Sequence, residues 1–126
     1  MNKQDIINRL NSFPYSKDEY WVITGSAMVL YGIRENTHDI DMGCSSLMAD
    51  QLEKDRYVFT LTESGNRKFS IGEDIEIFEN WLFDTIERID DIPVISLKGL
   101  IEMKKDLGRE KDFRDIALIE ELKKKA

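Results

Sequence analysis

The sequence predicts an α+β protein: a mixed β-sheet of about four to five strands flanked by helices, with further helices at the C-terminal end. Three observations predict it. Short aromatic or β-branched runs such as Tyr20-Trp21-Val22-Ile23-Thr24 interleave with segments whose apolar residues recur every three or four positions. Two acid-bearing stretches, His38–Met42 and Asp74–Phe78, alternate with period two, as strands with unlike faces do. From Ser96 onward only helical periodicity remains.

The elements follow in order. Gln4 to Phe13 sets Ile6, Ile7, Leu10 and Phe13 on one helical face, and Pro14 stops it. Tyr20–Thr24 reads as a buried strand, broken by Gly25-Ser26, and Ala27–Tyr31 as a short helix ended by Gly32. The His38–Met42 strand comes next. Ser45 or Ser46 can cap a helix to about Lys54 with Leu47, Met48 and Leu52 inward. Arg56–Leu61 and Lys68–Ile71 make a hairpin around Ser64-Gly65-Asn66, followed by the Asp74–Phe78 strand. Between Glu79 and Asp91 the pattern is ambiguous; Trp81, Leu82 and Ile86 suit a helical face. Ser96 can cap a helix burying Leu97, Leu100, Ile101 and Met103, stopped by Gly108. A last helix, Glu110 to Lys124, buries Phe113, Ile116, Ile119 and Leu122, and Lys123-Lys124-Lys125 reads as a frayed tail.

At 126 residues the chain suits one domain, 1–126, without linker or repeat. With 41% apolar residues, a membrane-spanning stretch would be conspicuous, and none stands out. Met1–Asp5 has no secretory apolar core, which predicts a cytoplasmic address. The single Cys44 excludes an internal disulfide and a multi-cysteine zinc site, and a small buried thiol is expected there. A net charge of −7 argues against general DNA binding, because phosphate binding draws on surplus Lys and Arg. The charge is uneven, however: residues 98–126 hold half of the 18 cations. Either this is a solvated helical surface, or cations that hold phosphate face an acidic metal site.

The second reading has a candidate site. On a strand, residues i and i+2 share a face, so Asp39 and Asp41 project together while His38, Ile40 and Met42 take the other side. Two like charges about 4 Å apart repel by about 4 kcal/mol at an effective dielectric near 20, and a divalent cation relieves that. Magnesium suits such a pair, since it takes one or two carboxylates and completes its shell with water and substrate phosphate. The Gly25-Ser26 turn between strand and helix lets an anion approach the backbone, and Ser26 adds a hydroxyl. Asp74 and Glu76 offer a third acid; Glu76, between two isoleucines, is preferred and Asp74 is the alternative. Three acids could hold the paired metal ions of an in-line displacement. His38 is set aside as a ligand, and Tyr20 and Trp21 as core, while Tyr31 could border a nucleotide.

Ile23-Thr24-Gly25-Ser26-Ala27-Met28 and Thr37-His38-Asp39-Ile40-Asp41-Met42 resemble the signature of the nucleotidyltransferase superfamily, whose fold is shared with DNA polymerase beta. The long spacer and the threonine two residues before the first Asp are similar to the abortive-infection toxin and lincosamide-resistance branch. So is Arg109-Glu110-Lys111-Asp112-Phe113-Arg114-Asp115, which resembles that branch's Arg-x-Lys-Asp-x-x-Asp motif. The resemblance implies magnesium, or manganese in its place, on Asp39, Asp41 and Glu76. It implies a nucleoside triphosphate on Gly25, Ser26 and Thr37, with phosphate contacts from Lys104 and Lys111, then Arg109. Glu76 departs from the branch's more usual Asp, and Arg34 stands three residues before Thr37 rather than two. The implied activity is transfer of a nucleoside monophosphate to an acceptor hydroxyl on a small molecule such as an antibiotic, a protein or an RNA end. The alternative is a catalytically degenerate module that binds nucleotide or a partner, as in a toxin–antitoxin or regulatory pair. A chain this short implies that a homodimer mate, a partner or the segment 46–72 chooses the acceptor.

Overall fold

The computed structural model describes residues 1–125. The elements are α1 (Lys3–Asn11), β1 (Tyr20–Ile23), α2 (Thr24–Leu30), β2 (Ile40–Cys44), α3 (Ser46–Lys54), β3 (Phe59–Leu61), β4 (Arg67–Ile71), β5 (Ile75–Glu79), β6 (Ile86–Ile89), β7 (Ile92–Ile95), α4 (Leu97–Leu107) and α5 (Glu110–Lys125). The strands form one mixed sheet in the order β3-β4-β5-β2-β1-β7-β6. β2 runs parallel to β5, β1 runs parallel to β7, and the remaining neighbours are antiparallel.

The register explains both faces of the sheet. Val94, Val22, Met42, Ile77 and Phe69 stand side by side across five strands, and all five are fully buried. Each such side chain contributes about 1.5–3 kcal/mol by leaving water, so this row fixes the pairing. One residue along, the chain faces the other way. There Ile23, Asp41, Glu76 and Ser70 form a second row, and Trp21, Gly43, Phe78 and Lys68 a third beside it. Gly43 is required by the indole of Trp21, since a Cβ at position 43 would stand 2.1 Å from Trp21 Nε1. That nitrogen donates to the Trp81 carbonyl at 2.9 Å and ties the segment after β5 to the sheet.

Helix ends follow the sequence. Asn2 closes a capping box with Asp5 on α1. Ser45 caps α3 and Ser96 caps α4, and α4 ends on Gly108 in the left-handed conformation. Cys44 is buried, and desolvation pushes its thiol up to about 12.

Several expectations are corrected. The sheet has seven strands rather than four or five. The extra pair is a hairpin: Ile86–Ile89, within the ambiguous stretch, is a strand instead of a helical face and pairs with Ile92–Ile95 just beyond it. Its turn residues, Asp90 and Asp91, both have positive φ. Pro93 lies within β7, where the ladder to β1 is one registered pair, Val22 with Val94, so its missing N–H disturbs little. Leu47 and Phe113, expected inside, are 67% and 56% exposed. Lys123–Lys125 remain helical rather than frayed. Among the described residues, no helix is long and apolar enough to cross a membrane.

Candidate active site

The strand–helix junction at the end of β1 builds one wall of a cleft of about 360 Å³. Thr24, Gly25, Arg34, Thr37, His38, Asp39, Asp41, Lys104, Arg109 and Lys111 all border it. Most of the sequence-predicted residues therefore meet in one place. The exceptions are Ser26, Glu76 and Asp74, and each has a physical reason.

Ser26 is buried beneath the turn. Its hydroxyl accepts from the Asp41 amide at 3.0 Å and donates to the Ile23 carbonyl at 2.8 Å. It welds α2 to β2 and sets the height of Asp41 rather than offering its oxygen to the cleft. Asp74 is engaged elsewhere: Arg9 Nε donates to it at 2.9 Å. Glu76 stands directly opposite Asp41 on the adjacent strand, half-exposed, with Lys68 Nζ 3.8 Å away. Of the two proposed third acids, Glu76 is the one facing the pair.

Asp41 is the strained centre. Burial raises its pKa above the usual carboxylate value, and the charges of Glu76 and Asp39 push the same way. A hydrogen bond from Thr24, Oγ1 to Oδ2 at 2.6 Å, opposes them, as does Lys68 more weakly. No Lys, Arg or His pairs with Asp39 or Asp41 among the described residues, and Glu76 has only the distant Lys68. No three His, Cys, Asp or Glu side chains among them stand close enough to hold a metal ion unaided. An unneutralised carboxylate pair opening on a cleft of this volume nonetheless fits magnesium, which keeps much of its own water.

The cationic side is built by a network that the sequence did not reveal. Lys104 is buried, with Nζ 3.0 Å from Asp115 and 3.4 Å from Asp112. Arg109 Nε donates to Asp112 at 2.6 Å, and Arg34 Nη2 makes a forked contact to both Asp115 oxygens at 3.1 and 3.2 Å. Chiefly through Arg109, the Asp112 carboxyl is held down at about 2. Lys104 is thus an anchor at the cleft floor, not a free phosphate ligand. Arg34, from the loop after α2, takes the position over the turn: a Cβ on Gly25 would lie 2.7 Å from Arg34 Nη1 and 3.4 Å from Thr37 Oγ1. Lys111 is exposed at the rim with no ion-pair partner among the described residues. His38, expected on the opposite side from the acids, borders their cleft instead. Tyr31 lies outside it, its hydroxyl donating to the Ile95 carbonyl at 2.8 Å.

Thr24 was also missed. It adopts φ +51°, unusual for a β-branched residue and costing about 1–3 kcal/mol, and that conformation aims its hydroxyl at Asp41. The signal was its place between strand and glycine turn. Thr24→Ala should lose the hydrogen bond and keep the strain, whereas Thr24→Gly sheds both. Chemical denaturation is expected to find the glycine variant more stable than the alanine one by about 1 kcal/mol, the reverse of their usual order in a helix.

No family model matches the sequence, and no curated protein matches it. Solved structures do resemble it. A candidate nucleotidyltransferase from Thermotoga maritima superposes with a TM-score of 0.64 at 18% identity, covering 93% of each chain. The lincomycin-bound lincosamide antibiotic adenylyltransferase LnuA superposes with a TM-score of 0.55 at 14% identity, again over 93% of each chain. At these identities the likeness is one of fold, and the chain has the nucleotidyltransferase fold.

Proposed function

We propose that the protein is a magnesium-dependent nucleotidyltransferase that moves a nucleoside monophosphate from a nucleoside triphosphate to an acceptor hydroxyl and releases pyrophosphate. The observation that supports this best is the unneutralised carboxylate pair, Asp39 and Asp41, facing Gly25 and Arg34 across one cleft in this fold. Asp39 and Asp41 would hold the metal, with Glu76 completing the set once its side chain leaves Lys68. When bound, magnesium would neutralise charge on the phosphates and the leaving pyrophosphate. The bare backbone at Gly25 admits the triphosphate, Arg34 and Lys111 supply its cationic contacts, and Thr37 holds the Asp39 loop through a 3.3 Å hydrogen bond to the Asp39 carbonyl. Glu76, opposite Asp41 on β5, would take the acceptor's proton once freed of Lys68. Because one structural neighbour is an adenylyltransferase, ATP is the first nucleotide to try.

A second reading, a degenerate module that binds nucleotide without turnover, is favoured by one contact, Lys68 beside Glu76. Calorimetry with each nucleoside triphosphate, with and without magnesium, tests both. Magnesium-dependent binding is expected, with pyrophosphate release once an acceptor is supplied. Absence of any nucleotide binding would sink both readings, whereas binding that ignores magnesium, or binding without release from any acceptor class, would select the second.

A further inference from the structure

Beside the carboxylate cleft lies a larger one of about 630 Å³, and the two share Phe78, Trp81 and Leu107 as a common wall. Its volume is that of a small-molecule pocket. Its inner surface is apolar: Phe78 and Trp81 meet edge to face at 5.0 Å, and Leu82 and Phe83 remain 39% and 41% exposed beside them. The β3–β4 turn gives it a rim of hydroxyl and amide groups from Thr62, Ser64 and Asn66. Among the described residues no Lys or Arg lines it; Lys68, over the Phe78 ring at 5.3 Å, is turned to Glu76. Its two charged residues are both acidic, Glu63 and Glu79, and Glu79 is already neutralised by Arg67 at 2.7 Å.

We infer that this second cleft is the acceptor site and that it takes a small amphipathic alcohol, uncharged or cationic, in preference to an RNA end or a protein. The inference rests on the nucleotidyltransferase reading of the neighbouring cleft. Aromatic walls with a hydroxyl rim match a molecule with one apolar face and several hydroxyls. A lining with no cation and an unpaired Glu63 repels a phosphodiester chain, which binds through Lys and Arg. In the reaction the acceptor oxygen bonds to the α-phosphorus, and the bond from that phosphorus to the bridging oxygen breaks. Pyrophosphate leaves with the electron pair, and the hydroxyl proton passes to a carboxylate of the first cleft and on to water.

The test offers the full chain magnesium–ATP with three acceptor sets: a mixture of alkyl and phenyl glycosides with amphipathic amino alcohols, a short RNA oligonucleotide, and unfolded casein. Pyrophosphate release and the mass of each acceptor are followed. The small alcohols alone should raise the rate, by about tenfold or more, and gain one adenylyl group. Phe83→Asp, at a half-exposed position that folding tolerates, should remove that rise while calorimetric magnesium–ATP affinity stays within about twofold; Leu82→Asp should repeat the result. Greater stimulation by RNA or casein, no stimulation by any set despite magnesium–ATP binding, or an undiminished rate in both variants would overturn the acceptor assignment. Failure to bind magnesium–ATP at all would instead overturn the reading of the first cleft.

Discussion

Asp41→Asn is expected to weaken magnesium-dependent nucleotide binding by more than about 100-fold and, at the same time, to raise the melting temperature. The first effect follows from removing a metal-holding charge, since even residues that only orient metal ligands cost about 10- to 100-fold. The second follows from the electrostatics of the native site. Asp41 is ionised against desolvation and against Glu76 and Asp39, so its charge destabilises the metal-free fold. Asparagine keeps the shape and still accepts from Thr24, and a gain on the order of 1 kcal/mol is expected. Calorimetric titration and thermal unfolding of the same two proteins check both halves. A variant that binds magnesium–ATP normally, or one less stable than the native chain, would contradict the account.

The sign extends to pH. The folded protein holds a proton on Asp41 more tightly than the unfolded chain does. Between the ordinary aspartate value, about 4, and the raised folded one, stability therefore increases as pH falls. Asp112 and Glu79 act in the opposite direction and lower down. Arg109 holds the first at about 2, and Arg67 holds the second at about 2. Their contributions are complete above the unfolded carboxylate values and disappear as pH falls from about 4 toward 2. Denaturation across pH should show a shallow rise on acidification and then a steep loss. The rise should be absent in Asp41→Asn and the loss retained.

What the sequence made legible follows from what each signal encodes. Capping serines at 45 and 96, the Gly108 stop and the Ser64-Gly65-Asn66 turn are local chemistry, and the structure keeps all of them. The β6–β7 hairpin was illegible because Asp90-Asp91 supplies two left-handed residues without a glycine, and Pro93 reads as a breaker. Asp39 and Asp41 stand two residues apart, so the alternation groups them even though β2 begins only at Ile40, and Gly25 joins them through the β1–β2 pairing that sets Ile23 opposite Asp41. Glu76 joins them only through the β2–β5 register, set 35 residues away by the buried row through Met42 and Ile77. Burial is the least legible quantity. Nothing in the letters separates Lys104, sealed between two aspartates, from Lys111, exposed at the rim.

That buried network supplies the other large effect. Each of Asp112 and Asp115 has a second partner, Arg109 and Arg34, and Lys104 has both acids. Removing one acid leaves Lys104 with the other, so Asp112→Asn and Asp115→Asn are each expected to cost about 1.5–3 kcal/mol, the usual worth of charged hydrogen bonds. Removing both strands a nearly inaccessible ammonium. Its uncompensated burial then adds about 3–5 kcal/mol, and the double variant should lose more than the sum of its parts. Lys104→Met should be far milder, because both acids keep an arginine and the methionine fills the stem's volume. Urea denaturation of the four variants reads this asymmetry directly; equal losses for Lys104→Met and the double aspartate variant would refute it. The two acids bear on the cleft differently: Asp115 lines it and its forked contact holds Arg34 over Gly25, whereas Asp112 lies behind it and holds Arg109 at its edge. Asp115→Asn should therefore weaken magnesium–ATP binding several-fold, and by more than Asp112→Asn does at comparable loss of stability, because Arg34 stands over the turn and Arg109 at the edge. A difference in binding at matched stability is what a purely structural network would not produce.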